Sequence, residues 1–289
     1  MSQSLIWDIL RRMPPSLLRK LGRYCAALHY ALDGRHVQEC ERMVEICRAD
    51  WDARAIVKGM YQSLWQIPSD LCFAFKLKDA ELDRHVIGLE AFLAKLSQLA
   101  PEEGVIFVTA HIGAWELSSQ ITSRRFKPIS SVYKSSRFEW VNRFLRASRE
   151  QHGQQMIEKE GSIVRLFKEL KRGGAVGLVM DQHGGTDGVP SRFLGKPCLS
   201  WDSAVMLAQR SGCPVMAVGF LRQGQGYRVS FSDFIKFPKK FRDEAERLEA
   251  VASVDEALSH LVEQAPEQWM WLGRRWGRNF EAIMAGQMS

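Results

Sequence analysis

Residues 105–120 read VIFVTAHIGAWELSSQ, and the interpretation of the rest of the chain starts from this stretch. Residues 105–108 are an apolar, β-branched run, the pattern of a short buried strand. Residues 114–117 have the composition of a helix beginning. We therefore predict His111 at the carboxyl end of a strand and Glu116 in the first turn of the following helix. Ligands of open α/β sheets usually bind at that edge of the sheet.

The spacing of His111 and Glu116 is open to two interpretations. In one, the imidazole acts as a general base, and the carboxylate fixes its tautomer and stabilises the imidazolium that forms. In the other, the histidine simply ends a strand, and nearby backbone groups satisfy its nitrogens. The choice depends on which other polar residues the chain brings to the same place.

From residue 104 onward, strand and helix patterns alternate, as expected for an α/β sheet. Strands are predicted at 104–109, 129–133, 175–180, 214–220 and 226–232, and helices at 114–123, 138–152, 160–172, 200–211 and 254–264. The mixed-charge residues 239–249 are predicted to form a solvated loop and helix. We expect two parts: a helical N-terminal segment, residues 1–100, and an α/β core, residues 101–289.

The N-terminal segment has mostly helical periodicity. Apolar residues recur at helical spacing over residues 5–21, interrupted by Pro14 and Pro15 and interspersed with basic residues. Amphipathic helices with a basic face are typical of interfacial membrane anchors, but a surface helix packed on the domain has the same pattern. Residues 71–75, LCFAF, belong either to the core or to a lipid-facing patch. Further helices are predicted at 35–49, 51–66 and 80–99.

Composition narrows the class of protein. The 289 residues are 46% hydrophobic and 25% charged, which is ordinary for a globular chain. Forty Lys and Arg against 33 Asp and Glu give a net charge of +7, which favours an anionic partner. Nucleic acid is the poorer choice because no zinc-finger spacing, RNP-like strand or helix-turn-helix pattern is present.

The cysteines and the hydropathy bear on compartment and membrane topology. Six cysteines without a CxxC pair indicate small buried residues in a reducing compartment, and they suggest no metal site. The N-terminus lacks a signal-peptide pattern. No window reaches the length of uninterrupted apolar sequence that a spanning helix needs, so we expect none.

Other polar residues also follow predicted strands. Lys134 follows one strand, with Arg137 in the next turn. Asp181 and Gln182 end another strand and precede a glycine-rich loop that reads HGGTDGVPSRFLG. Since the carboxyl ends of parallel strands share one edge of a sheet, these side chains and His111 should converge there. Their convergence at one edge favours a functional site over unrelated polar residues that happen to follow strands.

Simpler explanations exist for each of these features. A cation just past a strand, such as Lys134, is often solvated, and Asp181 could cap a turn. Residues 266–278 read PEQWMWLGRRWGR, with three tryptophans and three arginines. The tryptophans are more readily explained as core than as a ligand platform, and the arginines could extend over them with their charged ends in water.

Taken together, these segments resemble the bacterial lipid A biosynthesis acyltransferase family, the late lauroyl and myristoyl transferases and their relatives in the lysophospholipid-acyltransferase-like superfamily. The resemblance covers roughly residues 100–280, and its motifs occur in the family's order. They are HIGAWE at 111–116 for the HxxxxD/E motif, Tyr133-Lys134 for a tyrosine–cation pair, Asp181-Gln182 with Phe193-Leu194-Gly195, AQRSGCPV at 208–215, and PEQWMWLGRRW at 266–276.

The sequence departs from the family pattern in three respects. Lys134 stands where arginine is common, so a point charge replaces a bidentate fork. Gly273 stands where histidine is common. Many members begin with a membrane-spanning helix, which we do not expect here.

The resemblance implies a glycerophosphate-acyltransferase-like α/β fold, with a mixed sheet flanked by helices. It also implies transfer of a fatty acyl group from a thioester to a hydroxyl of a lipid A precursor or related glycolipid. His111 would be the general base, and Glu116 would orient it. The alcohol would attack the thioester directly, because no GxSxG-like nucleophile motif accompanies the histidine. The residues expected to bind substrate are Lys134, Arg137, Asp181, Gln182, Arg192 and Gly195.

The partners follow from the same resemblance. The acyl donor would be acyl carrier protein or acyl-CoA, used as a co-substrate, with no further cofactor and no metal. Net positive charge suits an acidic carrier protein and anionic headgroups. The enzyme would then be peripheral, on the cytoplasmic side of the inner membrane. Alternatives are acyl transfer to a phospholipid or another glycolipid, a thioesterase-like hydrolase, and a non-catalytic lipid-binding relative.

Overall fold

The computed structural model describes residues 12–76, 79–133, 153–158 and 161–277. Within these ranges the helices are α1 (Pro15–Leu32), α2 (Gly34–Cys47), α3 (Ala53–Lys76), α4 (Asp79–His85), α5 (Leu89–Leu96), α6 (Trp115–Arg125), α7 (Ser162–Lys171), α8 (Ser203–Ser211) and α9 (Glu244–Glu263). The strands are β1 (Val86–Ile87), β2 (Val105–Thr109), β3 (Ile129–Tyr133), β4 (Gln155–Glu158), β5 (Ala175–Val179), β6 (Val189–Phe193), β7 (Lys196–Ser200), β8 (Val215–Gln223) and β9 (Gly226–Phe231).

Seven strands form one sheet in the order β1-β9-β8-β2-β5-β3-β4. Neighbours pair in parallel except β8 and β9, which form an antiparallel hairpin. Strands β6 and β7 form a separate antiparallel pair. The predicted mixed α/β sheet with flanking helices and an N-terminal helical segment is confirmed. The order places β2 beside β5, so the segments that follow these two strands emerge side by side.

Strand β2 lies at the centre of the sheet and is buried on both faces. Val105 and Phe107 belong to one core, together with Phe92 of α5 and Leu117 of α6. The alternate side chains of β2 belong to a second core that contains residues of α7, α8 and α9 and three C-terminal tryptophans. A strand covered on both faces has no polar face, which explains why this segment is a continuous apolar run.

The N-terminal helices pack on one another and on the sheet. The apolar patch at residues 71–75 lies in α3, and Leu71, Cys72 and Phe73 are buried in the core. Asp70 accepts hydrogen bonds from Arg222 of β8 and, at 2.8 Å, from the hydroxyl of Tyr227 of β9. This buried polar cluster fixes α3 against the β8–β9 hairpin.

The structure differs from the sequence-based predictions at several elements. The helix predicted at 80–99 is divided into α4, β1 and α5, because Gly88 adopts a left-handed conformation with φ of 81°. The glycine-rich stretch predicted as a loop contains the β6–β7 hairpin, and strand β4 was not predicted. Helix α9 begins ten residues earlier than predicted, after the cap residue Asp243. The helix predicted at 138–152 lies outside the described residues.

Several predictions concern the chain as a whole. The division at residue 100 stays a prediction, and β1 belongs to the sheet although it precedes that boundary. In the ranges that the structure describes, no helix combines the length and apolarity needed to cross a bilayer. The six cysteines are free thiols, and four of them, Cys40, Cys47, Cys72 and Cys213, are buried.

Candidate active site

His111 lies just past the carboxyl end of β2, and its backbone is held on both sides. Its N–H donates to Oδ2 of Asp181 at 2.8 Å, and its carbonyl oxygen accepts from the backbone N–H of Met270 at 3.0 Å. The turn that follows depends on Gly113, whose φ is 56°. A Cβ atom at this position would come within 2.3 Å of the carbonyl oxygen of Phe220. The HIGAWE motif therefore needs its glycine for steric reasons.

Asp181 follows β5, the neighbour of β2, and its carboxylate is only 3% exposed. Oδ1 lies 2.8 Å from Nδ1 of His111. Oδ2 accepts from the indole Nε1 of Trp269 at 2.8 Å, in addition to the backbone N–H of His111. The structure thus brings together two of the predicted site residues, His111 and Asp181. Three hydrogen bonds, two from His111 and one from Trp269, hold the carboxylate in place.

The two groups shift each other's pKa. Burial disfavours the charged imidazolium, but the charge of Asp181, its hydrogen bond and the charge of Glu116 together raise the pKa of His111 above its ordinary value. Burial alone would raise the pKa of Asp181, but the charge of His111 and the hydrogen bonds from His111 and Trp269 lower it. Asp181 is therefore ionised and accepts a hydrogen bond from the N–H at Nδ1 of His111, which leaves Nε2 as the ring's basic nitrogen.

Glu116 lies in the first turn of α6, as predicted. Its charge contributes to the raised pKa of His111, while Nδ1 of the imidazole donates its hydrogen bond to Asp181. The ring of Trp115 stands edge-on to the imidazole, with ring centroids 5.5 Å apart. Both neighbours on the helix therefore influence His111, one by charge and one by shape.

A cavity of about 1000 Å³ opens beside His111 and Glu116. It extends along β5, past Gly177, and between α7 and α8. Successive turns of α8 contribute Ser203, Met206, Leu207 and Arg210, so the cavity follows this helix for about two turns. Most of its other lining side chains are apolar: Trp115, Val132, Met156, Ile163, Val164, Leu166, Phe167, Leu178, Val179, Met180 and Trp201. The site therefore combines the basic nitrogen of His111 with a largely apolar cavity that continues along α8.

The other predicted site residues lie at different distances from this cavity. Gln182 is part of its lining. Arg192 and Gly195 lie in the β6–β7 hairpin, where Nη1 of Arg192 donates to the carbonyl oxygen of Gly195 at 3.3 Å, and neither is among the described residues that line the cavity. Lys134 and Arg137 lie outside the described residues.

The C-terminal segment supports the site from below. Trp269, Trp271 and Trp276 are each 1% exposed, so they belong to the core. Arg275 is equally buried and pairs with Asp255 at 2.8 Å, instead of extending to water. Sequence reasoning missed the contact of Trp269 with Asp181. The pattern of the tryptophan-rich segment contains nothing that links one indole to a carboxylate 88 residues away.

Among the described side chains, no three His, Cys, Asp or Glu residues come together as a metal ion would require.

A sequence-family model described as bacterial lipid A biosynthesis acyltransferase matches residues 3–278 of the chain. A comparison with curated protein sequences finds no match. The family match covers nearly the entire sequence, including every segment that forms the site.

Proposed function

The chain belongs to the bacterial lipid A biosynthesis acyltransferase family, and we propose that it transfers a fatty acyl chain from a thioester to a hydroxyl of a lipid A precursor or related glycolipid. Membership makes the protein an O-acyltransferase with an acyl donor and a lipid acceptor. One observation carries the detailed proposal. A histidine whose Nδ1 is held by a buried, ionised carboxylate opens onto a long, mostly apolar cavity.

His111 is the general base in this proposal. Nε2 takes the proton from the acceptor hydroxyl as its oxygen attacks the thioester carbonyl, and a C–O bond forms. The tetrahedral intermediate then collapses, the C–S bond breaks, and the proton on Nε2 passes to the departing thiolate sulfur. No net proton is gained or lost, and no covalent enzyme intermediate is needed.

Two carboxylates assist His111 in different ways. Asp181 is a positioning residue that keeps the proton on Nδ1 and stabilises the imidazolium formed during transfer. Glu116, the acid of the HxxxxD/E motif, adds a second negative charge near the ring. Its place on the cavity wall also suits direct contact with the acceptor hydroxyl or sugar.

The apolar part of the cavity is proposed to hold the acyl chain of the donor. Residues of α7, α8 and β5 line this part and would shield the methylene groups of the acyl chain from water. Each buried methylene group stabilises binding by about 0.8 kcal/mol. The donor itself is acyl carrier protein or acyl-CoA. Both carry phosphopantetheine, and the net charge of +7 suits either anionic donor.

Several cationic and polar residues are proposed to bind the acceptor or the donor phosphate. Lys134 and Arg137 follow β3, and Gln182 lies on the cavity wall. Arg192 and Gly195 are assigned the same role on the resemblance alone. Reversing charge at Lys134 and Arg137 together should raise the KM for the acceptor, with little change in kcat. An unchanged KM for the acceptor would show that Lys134 and Arg137 do not bind it.

We place the enzyme on the cytoplasmic face of the inner membrane as a peripheral protein. The support for this location is the lipid acceptor that the family implies and the basic, partly apolar N-terminal segment. Fractionation of cells should recover the protein with the inner membrane, in a form that high salt or mild detergent releases.

The direct test is a transfer assay with purified protein, an acyl carrier protein donor and a lipid A precursor. His111→Ala should lower kcat by about a hundredfold or more, because the base is lost. His260→Ala removes an exposed histidine of α9 and serves as the matched control. Near-normal turnover by His111→Ala would refute the assignment, and acyl release without an acceptor would indicate a thioesterase.

The acceptor is identified best in cells. Lipid mass spectrometry would compare cells with and without the gene, complemented by wild type or by Glu116→Ala. Lipid A lighter by one acyl chain, restored only by wild type, is the expected result. A change in a different glycolipid or phospholipid would keep the chemistry and replace the acceptor.

A further inference from the structure

Helix α1 exposes a continuous row of large apolar side chains. Five of them are 43% to 76% exposed. They are Leu17, Leu21, Tyr24, Leu28 and Leu32, which we call the α1 stripe. Their spacing of three or four residues places them on one face, and the row is about 22 Å long at 1.5 Å per residue. An exposed apolar row of this size marks an interaction surface.

The opposite face of α1 is fixed, so the stripe cannot turn inward. Leu18, Gly22 and Ala26 are buried. A Cβ atom on Gly22 would come within 2.5 Å of the carbonyl oxygen of Trp65 in α3, which shows how closely the two backbones approach. Ser69 of α3 also donates a hydrogen bond to a backbone carbonyl near the beginning of α1. Within the part of the chain that the structure describes, the stripe is therefore an outer surface.

The charges on α1 are all of one sign. The helix contains Arg19, Lys20 and Arg23 and no Asp or Glu. Lys20 and Arg23 are exposed, and helical geometry places Lys20 beside Tyr24 along one border of the stripe. A helix with exposed apolar side chains bordered by cations has the composition of a helix that lies in a membrane interface.

We propose that the α1 stripe is the surface by which this enzyme rests on an anionic lipid bilayer. The stripe enters the boundary between headgroups and acyl chains, and Lys20 and Arg23 contact anionic headgroups. The proposal rests on the proposed function to the extent that a lipid acceptor requires access to a membrane. A second copy of the chain is a poorer occupant, because pairing two α1 helices, which contain no Asp or Glu, brings their cations together.

Packing connects the stripe to the catalytic edge through one intervening helix. Helix α1 packs on α3, and α3 in turn contacts the C-terminal segment, where Oγ of Ser63 donates a hydrogen bond to the carbonyl oxygen of Gln268. The same carbonyl accepts from the N–H of Gly113, two residues after His111. A bilayer bound to the stripe is thus held in a fixed relation to His111, as an enzyme that takes a substrate from a membrane requires.

The test uses the full chain and vesicles of phosphatidylcholine with or without phosphatidylglycerol. In flotation, wild type should bind the anionic vesicles, and Leu21→Glu/Leu28→Glu should reduce the partition coefficient at least about tenfold. Ile87→Glu is the matched control, since Ile87 is 57% exposed on β1 and is not part of the α1 stripe. Leu21→Met/Leu28→Met should bind like wild type, and thermal unfolding of all variants verifies that they are folded. Equal binding by the Glu variant and wild type would overturn the proposal.

A second arm separates the contribution of charge. Lys20→Gln/Arg23→Gln should weaken binding to the anionic vesicles several-fold and flatten its dependence on salt, because fewer cations contact the surface. Binding to vesicles of phosphatidylcholine alone should hardly change. An unaltered salt dependence would exclude these cations from the contact.

Activity distinguishes failure of this proposal from failure of the proposed function. With the acceptor dispersed in detergent, Leu21→Glu/Leu28→Glu should retain wild-type turnover, but with the acceptor in vesicles it should lose at least about tenfold. A wild type that binds vesicles but transfers no acyl chain would refute the function and leave the docking surface. A Glu variant that changes only from dimer to monomer, with unaltered vesicle binding, would assign the stripe to a second copy.

Discussion

Asp181 controls His111 through two bonds at once, one to the backbone N–H and one to Nδ1 of the ring. The first fixes where the imidazole stands, and the second fixes which nitrogen carries the proton. Trp269 occupies the remaining direction at Oδ2 and keeps the carboxylate from turning. A histidine held in this manner presents Nε2 to the cavity in one tautomer, which is the condition for a base to act without prior rearrangement.

Asp181→Asn should lower kcat and displace the pH profile. A general base must be neutral, so activity falls as the pH drops through the pKa of His111. Asp181 raises that pKa, and removing its charge lowers it; the acid limb of the profile therefore moves to lower pH. The remaining kcat should be at least about a hundredfold below wild type, since the amide no longer enforces the tautomer.

The measurement is kcat/KM across the acid limb. Asp187→Asn serves as the control, because Asp187 is exposed in the loop that follows Asp181. A reduced rate with an unmoved acid limb would mean that Asp181 is structural and does not tune the base.

Gly113→Ala should destabilise the protein more than an ordinary glycine substitution. The residue has a positive φ of 56°, and its Cβ would lie 2.3 Å from the carbonyl oxygen of Phe220, which belongs to the central sheet. Gly161→Ala is the matched control, with φ of 68° and nothing within 4 Å of its Cβ. Backbone strain alone costs about 1–2 kcal/mol, and we expect Gly113→Ala to lose more than about 3 kcal/mol. Urea unfolding measures both losses, and equal losses would contradict the steric argument.

Secondary structure could be predicted where the local pattern had one explanation. Strand β2 is a continuous apolar run because it is covered on both faces, and β5 is a similar run whose carboxyl end lines the cavity; both were predicted within a residue or two. The β6–β7 hairpin was not, because alternating exposed residues and Pro190 weaken the strand pattern within a glycine-rich stretch. The helix predicted at 80–99 shows a similar limit, since Gly88 ends a pattern that is otherwise helical.

Helix α8 forms one wall of the cavity, so a larger side chain there should shorten the acyl chain that the enzyme accepts. Met206 is only partly buried and lines the cavity, which lets Met206→Trp fill space without overpacking the core. Gln209→Trp is the control on the same helix, since Gln209 is not among the lining residues. Acyl donors of graded length, supplied in competition, should show a preference shifted to shorter chains for Met206→Trp alone. An unshifted preference would place the acyl chain elsewhere.

The proposed catalytic constellation is assembled from three distant parts of the chain. His111 and Asp181 are 70 residues apart, and Trp269 lies 88 residues beyond Asp181. The convergence of the first two could be predicted, because adjacent parallel strands end at one edge. The third could not, because the sequence pattern predicts no regular element that relates the C-terminal segment to the sheet; an isolated antiparallel bridge between Ile112 and Trp269, together with side-chain packing, holds this segment against the site.

Arg275 anchors that segment to the rest of the protein. Its guanidinium pairs with Asp255 of α9 and donates to the carbonyl oxygens of Gln182 and Leu199. Ser200 completes the buried group through contacts with both Arg275 and Asp255. One side chain thus joins α9, β7 and the loop after Asp181, so loosening it should affect both stability and turnover.

Arg275→Met should cost about 3–5 kcal/mol in the free energy of unfolding, because it leaves the carboxylate of Asp255 buried without its partner. Burial already raises the pKa of Asp255. In the variant, protonation relieves the unpaired charge, so the loss should shrink as the pH is lowered. Arg275→Met/Asp255→Leu should recover much of the loss, since no buried charge remains. Urea unfolding of the two variants at neutral and acidic pH measures this coupling. A double variant no more stable than Arg275→Met, with losses that do not vary with pH, would show that packing, not charge, holds the segment in place.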